Sequence, residues 1–283
     1  MKSRMLDAIR SELWEMRPEA LASWIASLND VEPEESSPRL PKTDGGIGLI
    51  TIQGVIGHRP GGGYYANTYS AEVADWLRKM AANPSIGAIV LDIDSPGGTV
   101  AGLAEAADTI NDVKAVKPVY AVANPEAASA AYHLGSQATR FYSTPSGEVG
   151  SIGVWAAHVD MSEALTHMGV KVSLISAGKY KVEGNPFEPL GEVAREEIQR
   201  SVDMHYEAFL KSVARGRNTT PATVRDTFGQ GRMVEAPRAK GLGMIDAIHT
   251  LGEVLGGIVK SNRPSNIRQA AAKIGLTESQ IRR

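Results

Sequence analysis

Four short segments hold the residues whose types and spacing can do chemistry. Asp92-Ile93-Asp94-Ser95-Pro96-Gly97-Gly98-Thr99 ends an apolar run and opens a helical pattern. Pro96 fixes one φ angle, and Gly97 and Gly98 admit a backbone turn closed to other residues. Such a turn aims N–H groups into a cleft near the positive end of the next helix, where they serve as an oxyanion hole or anion site. A plain strand-to-helix turn fits the same residues. In Asn124-Pro125-Glu126-Ala127-Ala128-Ser129-Ala130-Ala131-Tyr132 a strand again runs into a helix, with Ser129 in the first turn among four alanines. Small neighbours let a substrate backbone come close, and a helix N-terminus favours an alkoxide or its tetrahedral adduct. An N-capping serine is the plainer use. In Gly147-Glu148-Val149-Gly150-Ser151-Ile152-Gly153-Val154 the glycines suit a strand approached by another backbone. Ser151 there can orient a catalytic partner or satisfy local backbone. Ser176-Ala177-Gly178-Lys179-Tyr180-Lys181 brings two lysines. A lysine is a base only where burial among apolar groups lowers its pKa; otherwise the two are a solvated pair.

Other chemistries have thinner support. His58, His133, His158, His167, His205 and His249 are scattered, with no HExxH spacing, and there is no GxSxG elbow and no P-loop. His133 follows Ser129 by one helical turn and shares its face, which suits a serine partner and equally a packed or exposed histidine. With no cysteine, the chain has no disulfide, thiolate nucleophile or Cys-type zinc site. No metal or cofactor is expected.

The elements that position these segments alternate. Strand patterns cover 47–56, 86–93, 118–123, 141–142, 152–156 and 170–175. Helical patterns cover 71–82, 100–113, 127–134, 161–168, 192–214, 221–228, 235–240 and 248–255. The 192–214 helix carries Ile198, Val202, Phe209 and Val213 along one stripe. Repeated β–α alternation with short connections predicts an α/β domain with a largely parallel sheet. Residues 1–43 read as an appendage: one or two amphipathic helices over 5–28, broken near Pro18, then a linker rich in Pro, Glu and Ser. A domain over 44–258 follows, and 259–283 reads as a tail with a short basic helix over 266–283. Gly61-Gly62-Gly63 reads as a loop near the cleft.

Composition bounds the function. Of 283 residues, 42% are apolar and 22% charged, a globular balance that excludes a mainly disordered chain. A net charge of −2 gives no basic excess for nucleic acid. The longest charge-free run, 45–58, has 14 residues against about 20 for a spanning helix. Arg4, Asp7, Arg10, Glu12, Glu15 and Arg17 interrupt any signal-peptide core. A cytoplasmic protein without a membrane anchor is expected.

Taken in order, the Asp-Ser-Pro-Gly-Gly turn, the alanine-flanked Ser129, Gly150-Ser151-Ile152-Gly153-Val154, and Gly178-Lys179-Tyr180-Lys181 followed by a Pro-Phe-Glu-Pro stretch resemble the Ser–Lys peptidases of the signal peptide peptidase A family. The later runs Gly229-Gln230-Gly231-Arg232-Met233-Val234 and Ala239-Lys240-Gly241-Leu242-Gly243-Met244-Ile245-Asp246 fit that family's C-terminal pattern, so the likeness spans about three quarters of the chain. The resemblance implies a ClpP/crotonase-like spiral of β-β-α units. It implies Ser129 as nucleophile and Lys181 as general base. It puts oxyanion-hole amides at Gly97, Gly98 and Ala130, and Ser151 where the lysine amine is held. Ala130-Ala131 departs from the glycines the family often has there, which narrows the cleft without removing an N–H. The helical appendage looks like the phage branch, prohead proteases of the lambda C type. That branch implies scaffold and capsid proteins as substrates and action in the host cytoplasm or the assembling head; the fold, whose relatives make rings, implies a cyclic homo-oligomer, and no nucleic-acid or membrane partner is expected. A soluble cellular signal-peptide-peptidase-like protease, a crotonase-like acyl-CoA enzyme and a non-catalytic head-assembly protein are the alternatives.

Overall fold

A computed structural model describes residues 13–21, 42–44, 46–60 and 66–261. Most of the linker, the Gly61-Gly62-Gly63 loop, the basic tail helix and most of the expected N-terminal helices lie outside the described residues, while the linker's last residues, 42 and 43, begin a strand paired with residues 48 and 49.

In chain order the elements are β1 (Trp14–Met16), β2 (Lys42–Asp44), β3 (Ile47–Gln53), β4 (Ile56–Gly57), β5 (Thr68–Tyr69), α1 (Ser70–Ala82), β6 (Ala88–Ser95), β7 (Gly97–Thr99), α2 (Leu103–Val116), β8 (Val119–Ala128), α3 (Ala130–Ser136), β9 (Arg140–Ser143) and β10 (Glu148–Gly150). There follow α4 (Ser162–His167), α5 (Glu192–Gly216), α6 (Pro221–Thr227), β11 (Met233–Glu235), α7 (Ala236–Gly241), β12 (Ala247–Ile248) and α8 (Leu251–Ser261). The fold is mixed α/β with mostly parallel sheets, as the alternation predicts.

The larger sheet runs β11-β10-β8-β6-β3-β2, with β9 also on β8 and β12 on β9. β6 is parallel to both neighbours, β3 and β8. Its alternate residues enter two layers, as a period of two requires. Ile89, Leu91 and Ile93 join Leu77 of α1 and Ile110 of α2 on one side. Ala88 and Val90 join Val254 and Ile258 of α8 on the other. That is why this strand reads as a near-continuous apolar run, and each buried Leu or Ile contributes about 2 kcal/mol. α1 packs through Val73, Leu77 and Met80, with Glu72 in its first turn and Lys79 in its last, charges that complement the helix dipole.

β8 changes partner along its length. Tyr120 to Ala123 pair with β9, and Glu126 to Ala128 pair with β10. The strand therefore continues past 118–123, the stretch the apolar pattern marks, and delivers its last residues to a separate edge. A smaller sheet, β1-β7-β4-β5, stands beside it.

The C-terminal pattern supplies a clasp. The Asp246 carboxylate accepts from the Phe141 amide of β9 at 2.7 Å and pairs with Arg217, just beyond α5, at 3.0 Å. Burial pushes this carboxyl up, but the Arg217 and Phe141 hydrogen bonds, with the charges of Arg217 and Arg140, hold it below the usual carboxylate range.

Three further segments differ from expectation. Residues 14–16 form a strand, not part of a helix, because their backbone pairs with β7. The 152–156 strand reduces to one antiparallel bridge, Trp155 to Trp14, since β1 meets it at a single residue. Residues 170–175 form no strand, and Leu174 and Ile175 are 44% and 99% exposed. Among the described residues no layer covers their apolar side chains.

Candidate active site

Ser129 stands between β8 and α3, at the N-cap of that helix, with φ 50° and ψ −113°. This region costs a non-glycine residue on the order of 1–3 kcal/mol. Flanking bonds fix it: the Ser129 N–H donates to Gly150 O at 2.7 Å, and Ser129 O accepts from the His133 N–H at 2.8 Å. Ser129 is buried among Ala127, Ala128, Ala130 and Ala131. Its side chain makes no capping bond, and among the described residues its Oγ has no hydrogen-bond partner. The capping role is thus not the one this serine plays. Its hydroxyl sits at the mouth of a helix with its own bonding capacity open.

Beside it lies the glycine turn. Gly97 has φ +106°, and a Cβ there would fall 2.2 Å from Glu15 O and 3.0 Å from Ser129 Cβ. A Cβ on Gly98 would fall 1.8 Å from Ile56 O. Both positions need glycine because backbone passes on both sides of β7. The Gly97 N–H donates to Ser95 Oγ at 3.2 Å, and Ser95 Oγ donates to Gly54 O at 2.7 Å. Both glycines stand in the ladder with β1, Gly98 opposite Glu15 and Gly97 opposite Met16, and the Ser95 bond engages the Gly97 amide.

Ser151, φ 52°, is buried one residue after Gly150. Its N–H donates to Arg232 O at 2.9 Å, so the Gly-Arg segment fixes the backbone that in turn holds Ser129. Lys181 is placed elsewhere. It is exposed in the turn after Gly178, its N–H donating to Gly178 O at 3.1 Å. Lys179 is exposed beside it, with its amine 4.7 Å from the Tyr180 ring centre. Ser129, Ala130, Gly97 and Gly98 are therefore brought together, with Ser151 one bond away, while Lys181 stays on a separate arm.

Several residues of the cleft have no signal in the local sequence. β1 lies antiparallel to β7, with Trp14 opposite Thr99, Glu15 opposite Gly98 and Met16 opposite Gly97. On its far side Trp14 exchanges two backbone bonds with Trp155, at 2.9 and 3.0 Å, and their rings stack at 6.2 Å. The Trp155 indole N–H donates to Met16 O at 2.7 Å. His133 is buried against Glu15, with Nδ1 3.1 Å from Oε2. Arg17 pairs with Glu126 of β8 at 3.0 Å. Burial raises the Glu126 carboxyl, as do Asp94 and Glu148, and Arg17 opposes them.

Among the described residues no group of His, Cys, Asp or Glu could hold a metal ion, and no helix is long and apolar enough to cross a membrane. The chain is 35% identical over 211 residues, 74% of its length and 48% of the relative's, to the capsid assembly protease C of Escherichia phage lambda. It is 35% identical over 178 residues, 62% of its length and 36% of the relative's, to the head-tail preconnector protein GP5 of Enterobacteria phage P21. The chloroplastic serine protease SPPA of Arabidopsis thaliana is 27% identical over 197 residues, 69% of this chain and 29% of that one. The chain thus spans about half or less of the length of these relatives. Residues 111–261, just over half the chain and including Ser129, Ser151 and Lys181, match the family described as Peptidase family S49, and the chain belongs to that family.

Proposed function

We propose that this chain is a serine endopeptidase of phage head assembly, acting on scaffold and capsid proteins through a Ser129–Lys181 dyad carried on a ClpP/crotonase-like spiral. The observation that carries this reading is Ser129 itself: strained, buried, unpartnered at Oγ and next to the Gly98 turn. The phage relatives' names, a capsid assembly protease and a head-tail preconnector, supply the setting: host cytoplasm or assembling head.

In the reaction, the Lys181 amine takes the Ser129 proton and Oγ attacks the peptide carbonyl carbon. The Gly98 and Ala130 amides hold the developing oxyanion, a contribution of about 3–4 kcal/mol for one such donor. The C–N bond breaks, the leaving amine takes the proton, and water then releases the acyl group from Ser129. Ser151 holds the lysine amine in place.

Lys181 rides on an arm whose apolar residues, Ile175 and Leu174 above all, lie exposed. A second copy of the chain covers that arm, and each Lys181 serves the Ser129 of a neighbour in a cyclic homo-oligomer. The test is labelling with a fluorophosphonate, which reacts with an activated serine. Ser129 is the labelled residue in the wild type, and Ser129→Ala takes up no label. A wild type that stays unlabelled while hydrolysing acyl-CoA, or hydrolysing nothing, overturns the peptidase reading.

A further inference from the structure

Residues 13–17 lie where a bound peptide would lie. β1 runs between β7 and Trp155 and adds a strand to the cleft through main-chain bonds, the mode by which extended peptides are held on sheet edges. The Val100 N–H donates to Leu13 O at 3.0 Å. Residues two apart in a strand point the same way, so the Glu15 carbonyl also faces β7, opposite Gly98. The same carbonyl is the atom that a Cβ on Gly97 would strike, beside Ser129 Cβ. The Glu15–Met16 peptide bond thus occupies the place of a bond to be cut, and the Glu15 side chain occupies the pocket for the residue on its acyl side.

That pocket is built for an acid. Glu15 Oε2 lies 3.1 Å from His133 Nδ1, with the two side chains 3% and 5% exposed. A carboxylate only accepts, so Nδ1 carries the hydrogen. The imidazole is held flat against Phe209, ring centres 4.5 Å apart. The surrounding cavity, about 400 Å³, has Lys211 and Arg215 on its wall, together with Asp108, and Asp108 is paired with Arg215. An apolar side chain here would leave a buried N–H without an acceptor, and a lysine would set a cation against it.

We infer that the cleft selects peptides with a glutamate on the acyl side of the cut bond, that His133 is the specificity-determining residue, and that residues 13–17 are this chain's own occupant of the cleft. The inference rests on Ser129 as nucleophile. Its oxygen bonds to the glutamate carbonyl carbon, the C–N bond breaks, the amine leaves with the serine's proton, and water frees the glutamate carboxyl.

The test uses the full chain and a quenched fluorescent peptide containing Leu-Trp-Glu-Met-Arg-Pro, alongside versions with glutamine or lysine for the glutamate. The resident strand competes equally with all three, so the ratios of kcat/KM are unaffected by it. The glutamate peptide is cut fastest, with products ending in glutamate. Lysine lowers kcat/KM roughly 10–100-fold, the loss expected for a buried charge-assisted bond, and glutamine lowers it less. His133→Gln narrows the ratios. Glu15→Lys weakens the resident strand and speeds fluorophosphonate labelling of Ser129. Equal kcat/KM for the three peptides, or equal labelling rates in wild type and Glu15→Lys, overturns the inference. Should His133→Gln fail to fold, those two measurements still decide. Absence of Ser129 labelling in both chains removes the nucleophile itself, whereas labelling with equal kcat/KM removes only the specificity.

Discussion

The two halves of the proposed dyad sit in regions built on opposite terms. Every residue in 127–138 is buried; Ser129 is gripped by Gly150 and His133, and Gly150-Ser151 is gripped in turn by Arg232. In 153–193 no residue is buried, and α4 has no buried side chain at all. α5 spans both regimes: Phe209, Leu210, Val213 and Ala214 dock on the core at its C-terminal end, while in its first half only Ala194 is buried. Interior packing within one chain holds an unfavourable Ser129 backbone in place. An arm with Ile175 99% exposed has no such support among the described residues. In the proposed dyad, Ser129 lies in the packed region and Lys181 in the exposed one, which is the division the proposed neighbouring copy would close.

The largest effects test that division directly. Ser129→Ala abolishes peptide cleavage and fluorophosphonate labelling, and circular dichroism shows an intact fold. Lys181→Ala also abolishes cleavage near neutral pH without unfolding, because its side chain is exposed. Lys181→Arg does not restore it, since a guanidinium stays protonated, and Lys179→Ala keeps most activity. Mixing dissociated Ser129→Ala and Lys181→Ala chains and reassembling them restores part of the peptidase rate if the dyad forms between copies. A mixture as dead as its components places both residues in one chain.

Stability separates the regions next. Phe209→Ala, in the docked end of α5, lowers unfolding free energy by about 3–5 kcal/mol in denaturant titration. Asp246→Ala costs about 2–3 kcal/mol, the worth of charge-assisted bonds left unmade at Arg217 and Phe141. The Asp246 carboxyl lies below the usual carboxylate range in the folded chain, so its contribution is complete above the unfolded value of about 3.9 and fades as pH falls through the lowered one. In an acid titration Asp246→Ala therefore loses less stability below pH ~4 than the wild type does. Smallest is Ile175→Ser, under about 0.5 kcal/mol for the isolated chain. Light scattering shows its effect instead, as a smaller particle. A 30.1 kDa particle for the wild type across a wide concentration range removes the neighbouring copy.

Legibility in the sequence followed how local each cause is. β6 and α1 show in their periodicity because what buries them is a continuous face; α5 shows in a stripe of which Phe209 and Val213 are buried and Ile198 and Val202 are not. The Ser129 junction shows because small residues and a strand-to-helix change coincide there. Residues 170–175 have the composition of a strand and the structure gives them no ladder; β-branched residues report a need for a partner layer without saying which chain supplies it. β1 was hidden for another reason. Its neighbours in sequence have helical spacing, and what makes it a strand lies at 97–99 and Trp155. For the same reason nothing near His133 signals Glu15. The two glycines look equivalent in sequence; what separates them is the positive φ of Gly97 and Ser95, which accepts from the Gly97 amide.

The place of β1 has a consequence for the order of folding. Trp14 precedes both its partners in the chain, and its bonds to Trp155 bridge about half the length of the chain, so this strand cannot seat until β7, β8 and the Gly150-Ser151 segment exist. Such distant contacts form late and slowly. Refolding followed by tryptophan fluorescence is expected to show a final phase from the Trp14–Trp155 stack, absent in Trp14→Phe and arriving after far-ultraviolet circular dichroism is complete. For that interval the molecule has a finished core and an empty cleft, open to any other extended segment that fits.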